Sequence, residues 1–499
     1  MTRRSLAELT TGLVAAPAEV FVTDVTVDSR SATPGALFLA CRGRTHHGIE
    51  FAQEAVARGA RAVLFETDPA ADLKDVADFP SDIFLAGIPK LSRSVGTIAD
   101  RFFGAPSQAL AVAGITGTNG KTTSAYLLAQ ALTLCGKPAG YIGTLGFGLP
   151  NSLQSSTHTT ADAVNVHRQL DTLRQLGATC VCMEVSSHAL DQARVDGVRF
   201  HTAVFTNLTR DHLDYHGEMQ DYAASKALLF AWPTLSVRVI NVDDAFGAEL
   251  AARDSQARLI VTTRSTTRAV EFVRASQVTA QPAGLAIRFE SSWGAGEVSV
   301  PLIGDFNVDN VLNVLAVLLA WEMPLGDATR ALAQCRAPSG RMETFGGDGV
   351  TPLAIVDYAH TPDALGKSLR AARMHCRGRL RVVFGCGGDR DTGKRPLMGA
   401  IAAELADDVI ITDDNPRTED ARGIVEDIRA GIDPSRAVLV DHDRAHAICG
   451  ALEASSTNDV VLIAGKGHED YQIYGHERRP FSDQAIVREQ LKRQACSAR

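Results

Sequence analysis

The segment AGITGTNGKTTSAYLLAQAL, residues 113–132, places small residues, a lysine and two threonines between an apolar run and a helical pattern. Small residues let backbone N–H groups approach phosphate oxygens, and the start of the following helix adds partial positive charge. Lys121 can reach outer phosphates and Thr122 can ligate magnesium. Ile115 replaces the first glycine of the strict phosphate-loop pattern, so a structural strand-to-helix turn is the alternative. Strand, loop, Lys-Thr pair and helix together favour an ATP or GTP site, with contacts from Gly117, Thr118, Asn119, Gly120, Lys121, Thr122 and Thr123.

Two further segments bring charged side chains to the ends of strand-like runs: MEVSSHALDQARV (183–195) and FTNLTRDHLDYHG (205–217). Because open α/β sheets bind ligands at the carboxyl ends of their strands, we expect Glu184, His188 and His212 to face the phosphate loop. Glu184 is a hard oxygen ligand suited to magnesium, and His212 is a neutral imidazole ligand for a second metal ion. Either residue alone is compatible with an ordinary loop side chain, and the pairing of two such loops favours the metal site.

The length and composition of the chain indicate how these loops are supported. A chain of 499 residues is too long to fold around a single hydrophobic core, and we expect three domains. Apolar residues make up 45% and charged residues 22%, which is typical of a soluble globular protein. The formal charge of −8 provides no basic field for nucleic acid. We therefore expect neither nucleic-acid binding nor a fibrous or disordered chain.

The nine cysteines are scattered without a C-x-x-C pair, and reduced core thiols are favoured over disulfides or metal ligands. The start, MTRRSLAELTTGL, reaches polar and acidic residues too soon for the apolar segment of a signal peptide. The longest apolar run, VLNVLAVLLAW (311–321), is too short to span a bilayer. The cytoplasm is the expected compartment, without membrane insertion.

Short β-rich runs alternate with helical stretches, which predicts an α/β fold with parallel sheets. Loop-like residues in RFFGAPSQA (101–109) and CRAPSGRME (335–343) predict domains at 1–105, 106–337 and 338–499. Pro34-Gly35 is expected to form a turn between two strands of the first domain. The predicted strands elsewhere are 110–115, 180–185, 203–207, 238–242, 353–358, 381–385, 408–412 and 460–465.

The motifs GTNGKTT, MEVSSHALDQARV, NLTRDHLDYHG and YAASKALLF together resemble the Mur ligase family, ATP-dependent amide-bond enzymes that build the peptide stem of peptidoglycan. GRME, DYAHTPDAL, GCGGDRDTGKRP, DDNPR and AGKGHEDYQ resemble the members that add the third residue of the stem. Matching motifs run from about residue 27 to residue 472, nearly the whole chain. The resemblance implies a small α/β uridine-nucleotide domain, a central P-loop ATPase domain with a mostly parallel sheet, and a C-terminal Rossmann-like domain that binds an amino acid.

The resemblance also implies a binding site for a UDP-linked substrate. Hydroxyl, amide and guanidinium groups suit phosphate and carboxylate acceptors. From the residues alone, Ser29 and Thr160 are typical of turn or capping positions. The implied contacts are Val27, Ser29 and His46 for the UDP end, and Thr159, Thr160, Ser186, Gln192 and Arg194 for the pyrophosphate, sugar and peptide parts.

Lys226, in YAASKALLF, is the implied site of a covalent modification. Its local sequence is typical of a helix lysine that extends over apolar neighbours. In the family this lysine is carbamylated by CO2, which replaces a repulsive cation with a hard anionic ligand for magnesium. The implied Mg2+ ligands are Thr122, Glu184, His212 and carbamylated Lys226, and the implied catalytic residues are Lys121, Glu184, His212, Lys226 and Arg341.

Further nucleotide contacts are implied late in the chain. Asn307 and Asn310 resemble the adenine-side asparagines of the family, with helix capping as the competing interpretation. Arg341 resembles an arginine that reaches the γ-phosphate. Asp357 and His360 resemble ribose-side and phosphate-side contacts.

The stretch ITDDNPRTED, residues 411–420, surrounds Arg417 with carboxylates. A surface arginine paired with one of these acids is the plain alternative. DNPR is the pattern of the diaminopimelate-adding members, in which a guanidinium grips the second carboxylate of meso-diaminopimelate and Asp414 takes an ammonium. The implied pocket is Arg390, Asp414, Asn415, Pro416, Arg417, Gly465 and Glu469.

The implied reaction joins meso-2,6-diaminopimelate to the D-Glu γ-carboxylate of UDP-MurNAc-L-Ala-D-Glu through an acyl phosphate, with ATP as co-substrate and a monomer as the expected state. Folylpolyglutamate synthetase shares the phosphate-loop and magnesium motifs but lacks the uridine-type first hundred residues. Other Mur ligases are separated by HTT, GCGGDRDTGKRP and DNPR taken together. A nucleotide-dependent switch would leave Glu184, His212 and Lys226 without a shared purpose.

Overall fold

The structure, a computed structural model, describes residues 3–43, 45–67, 79–156, 158–282 and 284–497. Contacts divide the chain into two compact units. The first unit is Met1–Ala125 with Gly136–Leu259, and the second is Tyr126–Cys135 with Ile260–Arg499.

The first unit begins with a four-stranded, fully parallel sheet in the order β3-β4-β5-β6. β4, ALFLA, is buried along its whole length because it lies between two strands and has apolar clusters on both faces. The predicted turn at Pro34-Gly35 lies directly before β4. The strands on either side of this turn, β3 and β4, pair in parallel. The elements are β1 Arg4–Ser5, α1 Leu6–Leu9, β2 Phe21–Val22, β3 Asp24–Thr26, β4 Ala36–Ala40, α2 Ala52–Ala57, β5 Ala62–Thr67, β6 Phe84–Pro89 and α3 Val95–Phe102.

The second sheet of this unit runs β10-β9-β8-β11-β7-β12-β13. β8, β11, β7, β12 and β13 are parallel, so the loops that follow β7, β11 and β12 leave the same edge of the sheet. The elements are β7 Ala111–Thr116, α4 Lys121–Leu134, β8 Ala139–Gly143, β9 Gly146–Leu149, β10 Ser152–Gln154, α5 Ala163–Gln175, β11 Cys180–Glu184, α6 Ser187–Asp191, β12 Phe200–Phe205, α7 Leu213–His216, α8 Met219–Ala227, β13 Val237–Asn241 and α9 Ala245–Ala251. Residues 121–125 of α4 belong to the first unit, and the rest of this helix belongs to the second.

The second unit contains an antiparallel ribbon and a long buried helix. β15 pairs in parallel with β14 and antiparallel with β16, and β16 pairs antiparallel with β17. α10 holds the apolar run at 311–321, and nearly all of its side chains are buried. The elements are β14 Arg258–Thr263, β15 Phe272–Gln281, β16 Gly284–Ser291, β17 Gly294–Val300, α10 Phe306–Ala320 and α11 Leu325–Gln334.

The rest of this unit is a six-stranded sheet in the order β18-β19-β23-β20-β21-β22, parallel except for β18. A separate hairpin, β24–β25, follows it. The elements are β18 Glu343–Gly346, β19 Leu353–Asp357, α12 Pro362–Arg373, β20 Leu380–Phe384, α13 Lys394–Leu405, β21 Asp408–Ile411, α14 Ala421–Arg429, β22 Val438–Val440, α15 Arg444–Glu453, β23 Val460–Ala464, β24 Tyr471–Tyr474, β25 Glu477–Pro480 and α16 Asp483–Ser497.

All eight strands predicted beyond the first domain are present, and their ends differ from the prediction by at most three residues. The antiparallel ribbon β15–β17 was not predicted, because its strands carry many exposed polar residues and no long apolar run.

All nine cysteines are free thiols, as predicted. Only four of them are buried and Cys496 is exposed, so the expectation of core thiols was wrong for the other five. Among the described residues, no helix has the length and apolar character needed to cross a membrane.

A fully buried ion pair joins two helices of the second unit. Arg444 Nε and Nη2 each lie 2.8 Å from one oxygen of Asp483, and neither side chain has any exposed surface. Arg444 also donates to the Ala464 carbonyl, 3.0 Å away at the end of β23. The pair therefore fixes α15 and α16 against the central strand of the sheet.

We predict that Arg444→Met lowers the free energy of unfolding by about 3–5 kcal/mol, because it leaves the Asp483 carboxylate buried without its cation. Urea unfolding measures the change. The double variant Arg444→Met/Asp483→Leu removes both charges and should lose less than the single variant; an equal or larger loss would contradict this account.

Candidate functional site

The phosphate loop follows β7 and ends where α4 begins at Lys121. Gly117 has φ +146°, and a Cβ there would lie 1.9 Å from Thr206 Oγ1, so only glycine fits. The loop is held by the segment after β12: Thr118 N donates to the Asn207 carbonyl at 2.8 Å. Lys121 folds back, with Nζ donating to the carbonyls of Gly117 at 2.9 Å and Thr118 at 2.8 Å.

Lys226 approaches the same loop from α8. Its Nζ donates to the Gly117 carbonyl at 2.8 Å and lies 4.2 Å from the centre of the Tyr222 ring, and the residue is only 1% exposed. Two amino groups therefore share one carbonyl oxygen. Burial, with a further contribution from Lys121, lowers the pKa of Lys226 to about 6, so it is a neutral amine at pH 7.

Glu184, at the end of β11, is fully buried. It connects Thr122, at the start of α4, with Thr144 and with Thr160, one of the residues predicted to contact the substrate. Its Oε2 accepts from the Thr122 hydroxyl at 2.9 Å and the Thr144 hydroxyl at 3.2 Å. Its Oε1 accepts from the Tyr141 hydroxyl and from Thr144 N at 2.8 Å. The structure thus brings together Thr122 and Glu184, the two hard oxygen donors predicted for magnesium.

His212 lies in the loop after β12, in the left-handed region with φ +53° and with 46% of its side chain exposed. Its ring is 4.9 Å from that of His188, which in turn packs 4.1 Å from the ring of Tyr215. The described residues contain no cluster of three or more His, Cys, Asp or Glu side chains able to hold a metal ion. The metal role predicted for His212 therefore stays a prediction.

A cavity of about 1240 Å³ in the first unit is lined by Val27, Gln192 and Arg194, three of the residues predicted for the UDP-linked substrate. Arg194 donates to the Gln192 side-chain oxygen at 2.9 Å and to the Thr160 carbonyl at 3.0 Å. Gln192 in turn donates to the Tyr215 hydroxyl at 2.8 Å, and Tyr215 also lines the cavity. The cavity is large enough for an extended ligand and carries amide, guanidinium and phenol groups on its wall.

The other predicted substrate residues have local partners. Ser29 donates to Glu54 at 2.7 Å, and exposed His46 contacts Glu50 at 3.2 Å. Thr160 donates to the Glu184 carbonyl at 2.8 Å, Ser186 caps α6, and the Thr159 hydroxyl lies 3.0 Å from that of Thr144. The plain alternative was a turn or capping role for Ser29 and Thr160. Ser29 begins a short 3-10 helix whose cap is Asp28, and the Thr160 hydroxyl accepts from Ser186 N at 3.3 Å. Thr159 and Thr160 lie beside Glu184, which places them next to the predicted magnesium ligands.

In the second unit, Arg417 is surrounded by acids that all bind other residues. Asp413 contacts His442 at 2.8 Å and Tyr474 at 3.2 Å. Asp414 lies 3.5 Å from Lys466 Nζ, and Glu419 contacts Arg395 at 2.8 Å. The half-buried Arg417 guanidinium donates to the Gly388 carbonyl at 2.7 Å and has no carboxylate within ion-pair distance in the described part of the chain. The surface ion pair considered as the alternative is therefore wrong.

The hairpin β24–β25 holds the Arg417 backbone. Arg417 has φ +54°; its N–H donates to the Ile473 carbonyl at 3.0 Å and its carbonyl accepts from Gly475 N at 2.6 Å. Gln472 donates to the carbonyls of Asp413 at 3.2 Å and Asp414 at 3.1 Å. A left-handed arginine is strained, and these bonds maintain it. The hairpin was not predicted.

Lys466 is the residue of this pocket that sequence reasoning missed. It is fully buried, with Nζ 3.0 Å from Glu469 Oε2 and 3.1 Å from Asn415 Oδ1. Asn415 also donates to Glu469 at 2.9 Å. The burial of Lys466 could not be predicted from the sequence, because one partner, Asn415, lies 51 residues away. The other, Glu469, lies 3 residues away. Of the predicted pocket, Asp414, Asn415, Gly465 and Glu469 lie together. Arg390 is exposed, and among the described residues its hydrogen bond is to the Asp389 carbonyl, at 3.4 Å.

The remaining predicted nucleotide residues also belong to the second unit. Asn307 donates to the Ile303 carbonyl at 2.8 Å and accepts from Asn310 at 2.8 Å, while the residue preceding α10 is Asp305. Neither asparagine is the helix cap, so the capping interpretation was wrong. The Asp357 carboxylate accepts from Met342 N at 3.0 Å and Ser368 at 2.6 Å. His360 contacts the Tyr358 carbonyl at 2.8 Å.

Arg341, like Arg417, has no ion pair with a carboxylate among the described residues. Its guanidinium carbon lies 5.0 Å from the centre of the Tyr358 ring, and its buried Nε has no hydrogen-bond partner among the described residues. A guanidinium cannot lose its proton in a protein, so an anionic ligand is the natural complement.

Three family descriptions match this chain: "Mur ligase family, catalytic domain" at residues 21–83, "Mur ligase middle domain" at 115–318, and "Mur ligase, glutamate ligase domain" at 340–467. Together they extend over most of the sequence. The middle-domain match includes the phosphate loop, Glu184, His212 and Lys226. The third match includes Arg341 and Arg417.

The chain is similar to proteins named UDP-N-acetylmuramoyl-L-alanyl-D-glutamate–2,6-diaminopimelate ligase. The one from Pseudomonas aeruginosa is 48% identical over 93% of this chain and 94% of that protein. The one from Alkalilimnicola ehrlichii is 49% identical over 92% and 93%. A solved structure of an enzyme with this name is 33% identical, covers 99% of both chains and has a TM-score of 0.73. This likeness confirms the predicted three-domain α/β fold class, while the boundaries at 105 and 338 stay predictions.

Buried Lys226 makes stability depend on pH. Because the unfolded chain binds a proton that the folded chain lacks, stability should rise with pH between the folded pKa of about 6 and the unfolded value of about 10.4. The largest slope is about 1.4 kcal/mol per pH unit. We predict that Lys226→Met flattens this rise and stabilises the protein at pH 7 in CO2-free buffer. Denaturant unfolding over this pH range measures the free energy of unfolding of both proteins. If the two plots of this free energy against pH are parallel, Lys226 is not a buried neutral amine.

Proposed function

The chain belongs to the Mur ligase family, and from this premise we propose that it joins meso-2,6-diaminopimelate to the D-Glu γ-carboxylate of UDP-MurNAc-L-Ala-D-Glu. ATP is the co-substrate, ADP and phosphate are released, and the reaction is a cytoplasmic step of peptidoglycan precursor synthesis. One observation carries the choice of amino acid: Arg417 is half-buried, and each nearby acid binds another residue. A second carboxylate is what such a guanidinium lacks.

The first step transfers the γ-phosphoryl group of ATP to the D-glutamyl carboxylate and forms an acyl phosphate. Nucleophile and phosphates are both anionic, so the protein must supply positive charge in fixed positions. Lys121 and the N–H groups after Gly117 hold the phosphates, and Arg341 is assigned to the γ-phosphate. The amine of the amino acid then attacks the acyl carbon, and phosphate leaves from the tetrahedral intermediate.

Magnesium fits the donor set beside the loop, since the Thr122 hydroxyl and the Glu184 carboxylate are hard oxygens 2.9 Å apart. A carbamate on Lys226 would add a third such ligand, with His212 as the remaining candidate. When bound, Mg2+ supplies charge neutralisation for the phosphates. Asn307, Asn310, Asp357 and His360 are assigned to the nucleoside part of ATP, and Val27, Ser29, His46, Thr159, Thr160, Ser186, Gln192 and Arg194 to the UDP-linked substrate.

The lowered pKa of the buried Lys226 amine supports its carbamylation. A neutral amine is the form that attacks CO2: a C–N bond forms, the amine loses a proton, and a carbamate anion results. The reaction removes one of the two amino groups that meet at the Gly117 carbonyl as potential cations. It also places an anionic oxygen donor near the loop that holds Lys121.

Phosphate release from ATP tests the function. The protein is incubated with UDP-MurNAc-L-Ala-D-Glu and with diaminopimelate, lysine or no amino acid; folate plus glutamate tests the folylpolyglutamate alternative. Stimulation by diaminopimelate is expected. Absence of stimulation by any amino acid would exclude a ligase, and ATP hydrolysis independent of all acceptors would favour the nucleotide-dependent switch.

We predict that Lys226→Ala loses most activity and that formate or acetate restores part of it, because a short carboxylate can occupy the place of the carbamate. Thr122→Ala serves as the control, since the lost hydroxyl is not replaced by a carboxylate. Steady-state rates with increasing formate measure the effect. A Lys226→Ala variant with full activity, or a loss that no carboxylate relieves, would count against carbamylation.

We predict that Arg417→Ala lowers kcat/KM for diaminopimelate by about 100-fold, because a charge-assisted bidentate contact is lost. Turnover with lysine, which lacks the second carboxylate, should change little, so discrimination collapses. Arg422→Ala, an exposed arginine on the neighbouring helix, is the matched control. Unchanged discrimination in Arg417→Ala would remove Arg417 from the binding site.

A further inference from the structure

Lys466 lies directly after β23 and carries the only amino group that contacts both carboxylates of the pocket among the described residues. Its Nζ is 3.0 Å from Glu469 Oε2 and 3.5 Å from Asp414 Oδ1, and its side chain has no exposed surface. It also donates to Asn415 Oδ1 at 3.1 Å. Three side chains of the predicted amino-acid pocket are therefore arranged around one buried cation.

Lys466 contacts one oxygen of each carboxylate, and the other oxygen of each carboxylate is left without a hydrogen-bond donor among the described residues. Lys466 takes Asp414 Oδ1, and together with Asn415 it takes Glu469 Oε2. Asp414 Oδ2 and Glu469 Oε1 have no hydrogen-bond donor in the described part of the chain. Gly465, with φ +116°, keeps space open beside one of them, since a Cβ there would lie 2.8 Å from Asp414 Oδ2.

We propose that Lys466 is a positioning residue for substrate selection, which directs Asp414 Oδ2 and Glu469 Oε1 towards the distal ammonium of the amino acid. This inference rests on the proposed function. The Lys466 cation attracts both carboxylates, which would otherwise repel each other. Lys466 contacts one oxygen of each acid, and the other oxygen of each is left for a cationic group of the substrate.

Arg417 and the Lys466-centred acids then recognise different groups of one substrate centre. Arg417 binds the distal carboxylate, and the acid pair binds the ammonium attached to the same carbon. Lysine lacks only the carboxylate, and 2-aminopimelate lacks only the distal ammonium. The two analogues therefore report separately on the two halves of the pocket.

A purely structural role is the competing explanation for a buried lysine. Other charged and titratable groups also act on the two acids. Arg444, which is paired with Asp483, interacts with both, as do Tyr358 and Tyr471, and His468 interacts with Glu469. The centre of the Tyr471 ring lies 5.4 Å from Lys466 Nζ. A structural role would lower activity with every amino acid by the same factor. A positioning role changes the ratio between substrates.

The test compares wild type with Lys466→Met, which keeps an unbranched side chain one heavy atom shorter and removes the charged amino group. kcat/KM is measured for diaminopimelate, lysine and 2-aminopimelate, together with KM for ATP and for the UDP-dipeptide. We expect the preference for diaminopimelate over 2-aminopimelate to fall about 10-fold or more. The preference over lysine should stay within about 2-fold of wild type, because lysine retains the ammonium, and KM for ATP should be unchanged.

An unchanged preference over 2-aminopimelate in Lys466→Met would overturn the proposal. If Lys466→Met does not fold, Lys466→Arg and Lys466→Gln make the same comparison: the arginine variant should keep most of the preference and the glutamine variant should lose it, and equal ratios in both would overturn the proposal. Wild type that fails to turn over diaminopimelate would instead reject the proposed function, so the two failures are distinguishable.

Discussion

Positive charge without a protein counter-ion is the constraint that links both units of this chain. A buried charge is costly unless it is paired, neutralised or completed by a ligand. Lys226 is relieved by losing its proton. Arg341 and Arg417 cannot lose a proton. Among the described residues neither forms an ion pair with a carboxylate: the Arg341 guanidinium lies 5.0 Å from the centre of the Tyr358 ring, and the Arg417 guanidinium donates to the Gly388 carbonyl. The proposed function provides a partner for each side chain: a phosphate for Arg341, CO2 for Lys226 and a second carboxylate for Arg417.

Backbone strain is concentrated beside the same residues. Eight non-glycine residues of the described chain have positive φ. Five of them are predicted site residues or their immediate neighbours: Ala193, His212, Met342, Asp389 and Arg417. Left-handed backbone costs free energy in side-chain-bearing residues, so surrounding bonds must maintain it. At Arg417 the hairpin β24–β25 does so. Under the proposed function, this short hairpin therefore contributes to the choice of substrate.

The sequence predicted the parts of the protein that depend on local pattern. Apolar runs that end in glycine or polar loops predicted the strands, and the phosphate loop followed from residue types at fixed spacing. The ribbon β15–β17 was missed because its strands are half exposed and rich in polar residues. The surroundings of Arg417 could not be predicted from the sequence. Its acidic neighbours in the sequence are paired with His442, Lys466 and Arg395, which come from other segments of the chain. Spacing alone could not show which acids were already engaged.

Competition between amino acids tests the central claim most directly. Wild-type protein is given ATP, UDP-MurNAc-L-Ala-D-Glu and equal amounts of meso-diaminopimelate and lysine, and the nucleotide products are weighed by mass spectrometry. The unpaired Arg417 predicts a product that carries diaminopimelate almost exclusively. Equal amounts of the two adducts, or a lysine adduct in excess, would contradict the account.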